Sequence, residues 1–134
     1  MLEVGTIGVA STVVTGADLA GVLNQTPEDA FPPVYATSRM IGLMELAAAR
    51  AMRSVLQVGE LSVGVSLDVK HSAATAVGVL VEAQARFIGH EGKLFVFEVT
   101  ARDNGGEIGR GTHKRAVIAG SRLVQGALKR AAAG

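Results

Sequence analysis

One segment restricts the possible folds more than any other: a long, helix-forming run that carries very little charge. It extends from Ser38 to about Val55. Its only charged side chains are Arg39, Glu45, Arg50 and Arg53. A helix that is apolar around most of its circumference is normally buried on several sides. The rest of the chain must therefore supply surfaces that enclose this helix.

The start of the helix is marked by a proline pair and a hydroxyl group. Pro32 and Pro33 force extended backbone shortly before the helix begins. Thr37 stands immediately ahead of it, where an N-cap hydroxyl is expected. The simplest interpretation of Thr37 is a capping residue. A chemical role stays open as well, because the neighbouring Ser38 can supply the cap instead.

Strand-like segments flank the helix on both sides. The first covers residues 2–14, and four more follow the helix at 61–71, 76–88, 93–102 and about 107–119. Period-two alternation, which is typical of half-buried strands, predicts the inward faces of two of them. In the first the inward residues are Val63, Val65, Leu67, Val69 and His71. In the second they are Val77, Val79, Val81, Ala83, Ala85 and Phe87.

Glycine-rich tetrapeptides predict the connections between the later strands. Gly89-His90-Glu91-Gly92 indicates a tight connection before the segment at 93–102. Asp103-Asn104-Gly105-Gly106 indicates a hairpin, because Asn-Gly readily supplies two positive φ angles. The tail after the last strand, residues 120–134, is predicted to form a short helix with a frayed end.

The order of elements is a strand, a loop, the apolar helix and then four antiparallel strands. One sheet can bury its own inner face and such a helix only by curling around it. This α+β arrangement is the hotdog fold, here a single domain over residues 1–134 with its core at about 2–119. The exposed edges of so small a sheet favour pairing of two copies, so we expect a homodimer or a dimer of dimers.

Composition excludes several functions. The formal net charge is +1 and no run of Lys or Arg occurs, which predicts neither a nucleic-acid nor a membrane partner. The absence of cysteine excludes disulfides, thiolate zinc sites and a cysteine nucleophile. No spacing of His, Asp and Glu indicates a metal. The N-terminus lacks the basic region of a signal peptide, so we expect a cytoplasmic protein. We also expect no cofactor.

Glu45 and His71 are the side chains most out of keeping with their surroundings. Glu45 is the only acidic residue of the apolar helix, where a carboxylate is costly unless it is paired or functional. An ion pair with an arginine such as Arg50, or a place on one solvated stripe, would explain it equally. His71 ends an apolar strand face and can act as a base near neutral pH. It can also be a strand-end histidine that is half in solvent.

Spacing does not by itself join these residues into one site. Thr37 and Glu45 are eight residues apart, which places them about 12 Å apart along a helix. The pattern Ala-Thr-x-x-Met-x-Gly-Leu-x-Glu spans Ala36 to Glu45, and His71 follows in the next strand. A Gly-Thr-His-x-Arg element spans Gly111 to Arg115. Over about residues 30–118 the chain thereby resembles the fluoroacetyl-CoA thioesterase family.

The resemblance implies a dimeric hotdog enzyme that hydrolyses an acyl-CoA thioester, with coenzyme A as part of the substrate. It implies that Thr37 polarises or attacks the thioester, or positions water, and that His71 is the general base. Glu45 would orient a partner group or take part in hydrolysis. The family has two lid phenylalanines that discriminate the fluorinated acyl group. Only Phe31 is present here, with Glu28 in place of the other, so the acyl group stays open.

The remaining candidates are residues that could bind the substrate. The resemblance places Gly64 near the thioester, although a glycine in this strand also fits a β-bulge. Arg110, Lys114 and Arg115 could neutralise the phosphates of CoA or form a solvated edge strand. His113 shares the strand face of Arg115, so it either lines the same groove or packs.

Two other functions fit the same fold. A hydratase or dehydratase would need a differently placed His/Asp pair, which is not found in the sequence. A non-catalytic module that binds acyl-CoA would not need Thr37, Glu45 and His71 in an otherwise apolar setting. Both stay as alternatives to a thioesterase.

Overall fold

The computed structural model describes all 134 residues of the chain. Two helices and five strands form the fold. In chain order they are β1 (Ile7–Val13), α1 (Thr37–Ala51), β2 (Glu60–His71), β3 (Leu80–Glu91), β4 (Leu94–Asp103), β5 (Gly106–Ala119) and α2 (Gly120–Ala133). The strands form one antiparallel sheet in the order β1-β3-β4-β5-β2. The sheet curls around α1, as the sequence predicted for a hotdog fold.

The apolar helix α1 forms the centre of the core. Its buried residues are Met40, Leu43, Met44, Ala47, Ala48 and Ala51. The helix lies so close to β1 that a Cβ atom at Gly8 would overlap the backbone of Ala47. It is shorter than predicted, because the Met52 amide donates to the carbonyls of both Ala48 and Ala49. This tightening ends the α-helix, and Arg53–Val55 forms a separate 3₁₀ turn.

The inner face of β3 and β4 completes the core. Val81, Ala83, Ala85 and Phe87 on β3 are buried, which confirms the predicted alternation from Val81 onward. The predicted start at residue 76 is wrong, because Gly78 has a φ of 87° and β3 begins only at Leu80, which leaves Val77 56% exposed and Val79 outside the strand. Phe97, Val99 and Ala101 of β4 lie beside the buried β3 residues in the antiparallel register. Three of these seven buried residues are alanines, and their small size allows α1 to lie close to the sheet.

The predicted alternation of β2 is wrong in its first half. The pairing of β2 with β5 shifts between Gly64 and Ser66, which leaves Val65 in a β-bulge and 54% exposed. Because a bulge adds one residue, it reverses which side chains face inward. Ser62 and Gly64 therefore face α1 before the bulge, and Leu67, Val69 and His71 face it afterwards.

Two turns differ in detail from the prediction. The β3–β4 turn is at Gly92 and Lys93, and β3 itself continues through Glu91, so the connection starts later than expected. The β4–β5 hairpin is confirmed, but Asn104 does not have a positive φ. The positive φ lies at Gly106, where it is 120°. The Gly105 amide donates to the Asp103 side chain at 2.8 Å, which shapes the turn instead.

The two ends of the chain also depart from expectation. The first strand begins only at Ile7, because Gly5 has a φ of 95° and the Thr6 amide turns back to the Glu3 carbonyl. The tail is a 14-residue helix, longer than the short, frayed helix that was predicted. Neither helix of the chain is long and apolar enough to cross a membrane.

Candidate active site

Thr37 is the first residue of α1, and its hydroxyl is available for a contact outside the helix. The N-cap is Ala36, which makes no capping side-chain bond, so the prediction that Thr37 caps the helix is wrong. Thr37 Oγ1 lies 2.8 Å from His71 Nδ1, at hydrogen-bonding distance. The first-turn N–H groups of a helix have no partner within it and carry the positive end of its dipole. The hydroxyl therefore lies where a developing negative charge would be stabilised.

His71 is the last residue of β2 and is half-buried. It pairs with Gly109 of β5, where a Cβ atom would collide with the Met40 side chain, so this glycine lets α1 and the strand end approach each other. The second ring nitrogen, Nε2, is buried and has no hydrogen-bond partner within the chain. A neutral histidine whose Nδ1 accepts the Thr37 proton carries its own proton on Nε2. Such a histidine can act as a base toward the hydroxyl.

A cavity of about 310 Å³ opens beside this pair. Its lining is mostly apolar and consists of Ala20, Phe31, Pro32, Val34, Tyr35, Thr37, His71, Ser72, Ala73 and Ala74. Phe31 is 50% exposed in this lining. The structure thus brings three of the predicted site residues together: Thr37, His71 and Phe31.

Glu45 belongs to a second polar cluster, which is centred on Arg115. Its carboxylate lies 3.6 Å from Arg115 Nη1, so the partner is Arg115 and not the suggested Arg50. The Arg115 guanidinium is buried, and it donates to Ser62 Oγ at 3.0 Å and to the Ser62 carbonyl at 2.8 Å. Its third contact is His113 Nε2 at 3.0 Å. Burial lowers the pKa of Arg115, and the Glu45 charge opposes that shift.

His113 is fully buried, and its hydrogen bonds define its protonation. Nδ1 lies 2.9 Å from the Ser66 carbonyl, which can only accept, so Nδ1 carries the proton and Nε2 accepts from Arg115. Burial lowers the pKa of His113, and the neighbouring Arg115 charge lowers it further, although its bond to Ser66 acts in the opposite direction. His113 is therefore a neutral acceptor that orients the guanidinium.

Gly64 faces the second cluster. A Cβ atom here would lie 3.2 Å from His113 Cε1 and 3.3 Å from Glu45 Oε2. Gly64 also borders the bulge, which confirms the interpretation of this glycine as part of a β-bulge. Its missing side chain leaves room next to the carboxylate.

The two clusters are well separated within one chain. Gly64 and His71 are seven residues apart on β2, which corresponds to roughly 20 Å along a strand. Thr37 and Glu45 are two helical turns apart on α1. The structure therefore joins Thr37 with His71 and Glu45 with Arg115, and it does not join the two pairs.

Arg110 and Lys114 lie on the outer face of the sheet, away from both clusters. Alternation along β5 places them opposite to His113 and Arg115. Arg110 binds both carboxylate oxygens of Glu107, and Lys114 pairs with Glu91 at 2.7 Å. Arg110 thus shares neither cavity nor cluster with the other candidates.

Sequence reasoning missed Ser62 and Tyr35. Ser62 holds Arg115 through two atoms, and a bulge assigned at Gly64 would have revealed that Ser62 faces inward. Tyr35 lines the cavity and is 2% exposed, and burial raises its pKa to about 12. Its position just before the helix gave no such signal. No group of three His, Asp or Glu side chains is positioned to hold a metal.

Comparison with known proteins places this geometry in a family. The family model described as fluoroacetyl-CoA-specific thioesterase matches residues 14–121. A fluoroacetyl-CoA thioesterase from Streptantibioticus cattleyicolor is 47% identical over 95 residues, which is 70% of this chain and 68% of the relative.

Solved structures agree with the sequence comparison. A structure of the fluoroacetyl-CoA thioesterase has a TM-score of 0.89 at 37% identity and covers 96% of this chain and 97% of its own. A variant of that enzyme has been solved with acetyl-CoA bound. A thioesterase superfamily member from Thermus thermophilus has a TM-score of 0.86 at 27% identity, with coverage of 100% and 98%. The hotdog fold, the predicted resemblance and the enzyme class are confirmed: this chain belongs to the fluoroacetyl-CoA-specific thioesterase family.

Proposed function

We propose that this protein hydrolyses a small acyl-CoA thioester to the free acid and CoA, with Thr37, His71 and Glu45 as its reactive set. One observation carries the proposal: Thr37 Oγ1 lies 2.8 Å from His71 Nδ1, beside a mostly apolar cavity of about 310 Å³. A hydroxyl paired with an imidazole is the arrangement that acyl transfer to oxygen requires. The apolar lining suits an acyl group next to the reacting carbonyl.

The pair can promote hydrolysis in two ways. In the first, His71 removes the proton of Thr37, the hydroxyl oxygen attacks the thioester carbon, and water later cleaves the acyl-threonine ester. In the second, His71 takes the proton of a water that attacks directly while Thr37 positions it. In both routes the C–S bond of the thioester breaks, and the thiolate of CoA takes up the proton that His71 has removed. The free N–H groups at the start of α1 would stabilise the oxyanion.

Glu45 requires a second copy of the chain to act at the same carbonyl. Within one chain it is about 12 Å from Thr37 along α1. β2 is a sheet edge with 12 residues, and Leu61, Val65 and Leu67 on it are 37%, 54% and 38% exposed. Such an edge favours pairing with a second copy. We propose that a homodimer places Glu45 of one protomer near Thr37 and His71 of the other.

The proposed substrate-binding residues fall into three groups. Phe31 contacts the acyl end, since it lines the cavity. Gly64, His113 and Arg115 accompany Glu45 and would form the opposite wall of a shared site. Arg110 remains the proposed contact for the phosphates of CoA. It has the least support of the group, because Glu107 already neutralises its charge.

A substrate panel tests the activity. Purified protein should release CoA, measured with a thiol reagent, from acetyl-, fluoroacetyl-, short-chain, long-chain and aryl-CoA. Because the lid has Glu28 where the family has a second phenylalanine, we expect acetyl- and fluoroacetyl-CoA to be turned over at rates within about tenfold of each other. No turnover above background on the whole panel would contradict the thioesterase proposal. Tight acyl-CoA binding without turnover would favour the non-catalytic module.

Mixed dimers test whether the site is shared. Thr37→Ala and Glu45→Gln homodimers should each be nearly inactive. A mixed dimer contains one Thr37→Ala chain and one Glu45→Gln chain, and one of its two sites keeps Thr37, His71 and Glu45 intact. Because random mixing makes about half of the dimers mixed, it should restore about a quarter of the wild-type rate. If mixing restores nothing although mass spectrometry detects the mixed dimer, each site lies within one chain.

A further inference from the structure

The loop that follows His71, residues 72–79, has one buried residue, Thr75, which is 1% exposed. Ser72, Ala73 and Ala74 of the same loop are exposed, and they line the cavity beside the Thr37–His71 pair. A threonine in a solvated loop has no need to be buried. The burial of Thr75 therefore indicates that its polar atoms have partners within the fold.

Thr75 connects three separate parts of the chain. Its hydroxyl donates to Asp103 Oδ2 at 2.7 Å, at the β4–β5 hairpin. Its carbonyl accepts from the Tyr35 amide at 2.9 Å, two residues before Thr37. Its own loop starts directly after His71. One residue thus links the segment that carries the hydroxyl to the segment that carries the imidazole.

The other contacts make this link rigid. Asp103 Oδ1 accepts from the Gly105 amide at 2.8 Å, so the carboxylate is held on both oxygens. The Ser72 amide donates to the Ile108 carbonyl at 2.7 Å, which fixes the loop at its start. The Ala36 amide donates to the Asp18 carbonyl at 2.9 Å, which fixes the backbone before Thr37 from the other side.

We propose that Thr75, anchored by Asp103, is a positioning residue that sets the distance between Thr37 Oγ1 and His71 Nδ1. It touches neither of these atoms and acts through the backbone on both sides of the pair. An error of about 1 Å between reacting groups can cost on the order of 100-fold in rate. The Tyr35–Thr75 backbone hydrogen bond joins the two segments, and the bond from the Thr75 hydroxyl to Asp103 fixes the position of the residue that makes it. The expected effect on kcat rests on the proposed function, whereas the expected effect on the Thr37–His71 distance does not.

Thr75→Val tests the inference, because valine keeps the shape and removes the hydroxyl. We expect kcat per folded protein to fall by about tenfold or more while KM changes by less than about threefold. Thr75→Ser keeps the hydroxyl and should stay within about threefold of the wild-type kcat. Thr100→Val, on the outer face of β4, is the matched control and should leave kcat unchanged.

A measurement without turnover separates this inference from the proposed activity. The ¹⁵N chemical shift of His71 Nδ1 reports its hydrogen bond to Thr37. It should change in Thr75→Val and not in Thr75→Ser or Thr100→Val. If the wild type hydrolyses no acyl-CoA and this shift still changes, the proposed function fails and the positioning role stands. If Thr75→Val keeps both the wild-type kcat and the wild-type shift, the positioning role is wrong.

Asp103 offers a second route if Thr75→Val does not fold. Asp103→Ala removes the carboxylate that accepts the hydrogen bond from Thr75, and it changes the half-buried partner instead of the buried one. Asp103→Asn keeps a side chain that can bond to both Thr75 and Gly105. We expect the alanine variant to repeat the loss in kcat and the change in the His71 shift, and the asparagine variant to reverse most of both. Wild-type kcat and shift in a folded Asp103→Ala protein would overturn the proposal.

Discussion

The two polar clusters of this protein are built in opposite ways. The Thr37–His71 pair consists of two side chains beside an open cavity, with one contact between them and an unpartnered Nε2. The cluster around Arg115 has more members, and its guanidinium is buried with hydrogen bonds to Ser62 and His113. The first cluster has a buried ring nitrogen without a hydrogen-bond partner, whereas no buried side-chain nitrogen or oxygen of the second cluster lacks one.

This difference indicates which of the two clusters also contributes to the stability of the fold. A buried polar atom without a partner costs free energy, so its retention at His71 Nε2 suggests that a group outside this chain or a substrate meets it. A buried guanidinium that makes three hydrogen bonds within the chain contributes to stability and to the orientation of Glu45. Substitutions in the first cluster should therefore change the rate, and those in the second should also change stability.

The largest effect is expected at His71. His71→Ala should lower kcat by about 10²- to 10⁴-fold, because it removes the proposed general base. Steady-state CoA release measures the rate, and thermal unfolding should show little loss of stability. His90→Ala is the control, since the His90 ring contacts Phe87 edge-on and Phe95 at a tilt near the β3–β4 turn and should not affect kcat. A His71→Ala rate close to that of the wild type would mean that the base is elsewhere.

Arg115→Met should show the opposite balance of effects. The change keeps the bulk of the side chain and leaves the Ser62 carbonyl and His113 Nε2 without their donor. We expect the free energy of unfolding to fall by about 2–4 kcal/mol. Thr37→Val, at an exposed position, should change it by less than about 0.5 kcal/mol while lowering kcat at least about tenfold.

Denaturant unfolding of both variants checks this contrast. If Arg115→Met is as stable as the wild type, the cluster around Arg115 does not support the fold, and its role would be restricted to substrate. If Thr37→Val is the less stable of the two, the distinction between the clusters is wrong.

The smallest effect is a pH dependence that belongs to His113. Burial lowers its pKa in the folded protein, so the unfolded chain binds a proton more readily. Its contribution to stability is complete above the unfolded pKa of about 6.5 and is lost as the pH falls below that value. The slope should reach at most about 1.4 kcal/mol per pH unit.

Unfolding free energies between about pH 7 and 5.5 test this dependence. His113→Gln, which still offers an acceptor to Arg115, should show a flatter profile than the wild type over this interval. Equal slopes in the two proteins would mean that another group causes the pH dependence.

The sequence by itself determined the main architecture. The nearly uncharged segment from Ser38 required enclosure, and the alternation from Val81 to Phe87 supplied one inner face of the sheet. These patterns are local, because each follows from the burial of a side chain relative to its neighbours. The resemblance then named the family, which the comparisons confirmed.

Tertiary structure alone decided which polar residues meet. The bulge at Val65 reversed the inward face of β2, and no period-two pattern signals where such an extra residue lies. It brought Ser62 to Arg115 and kept His71 near Thr37. Contacts between residues that are 34 or 53 positions apart depend on the closing of the sheet, which local propensity does not encode. For this reason Thr37 looked like a helix cap in the sequence and proved to be the partner of His71 in the fold.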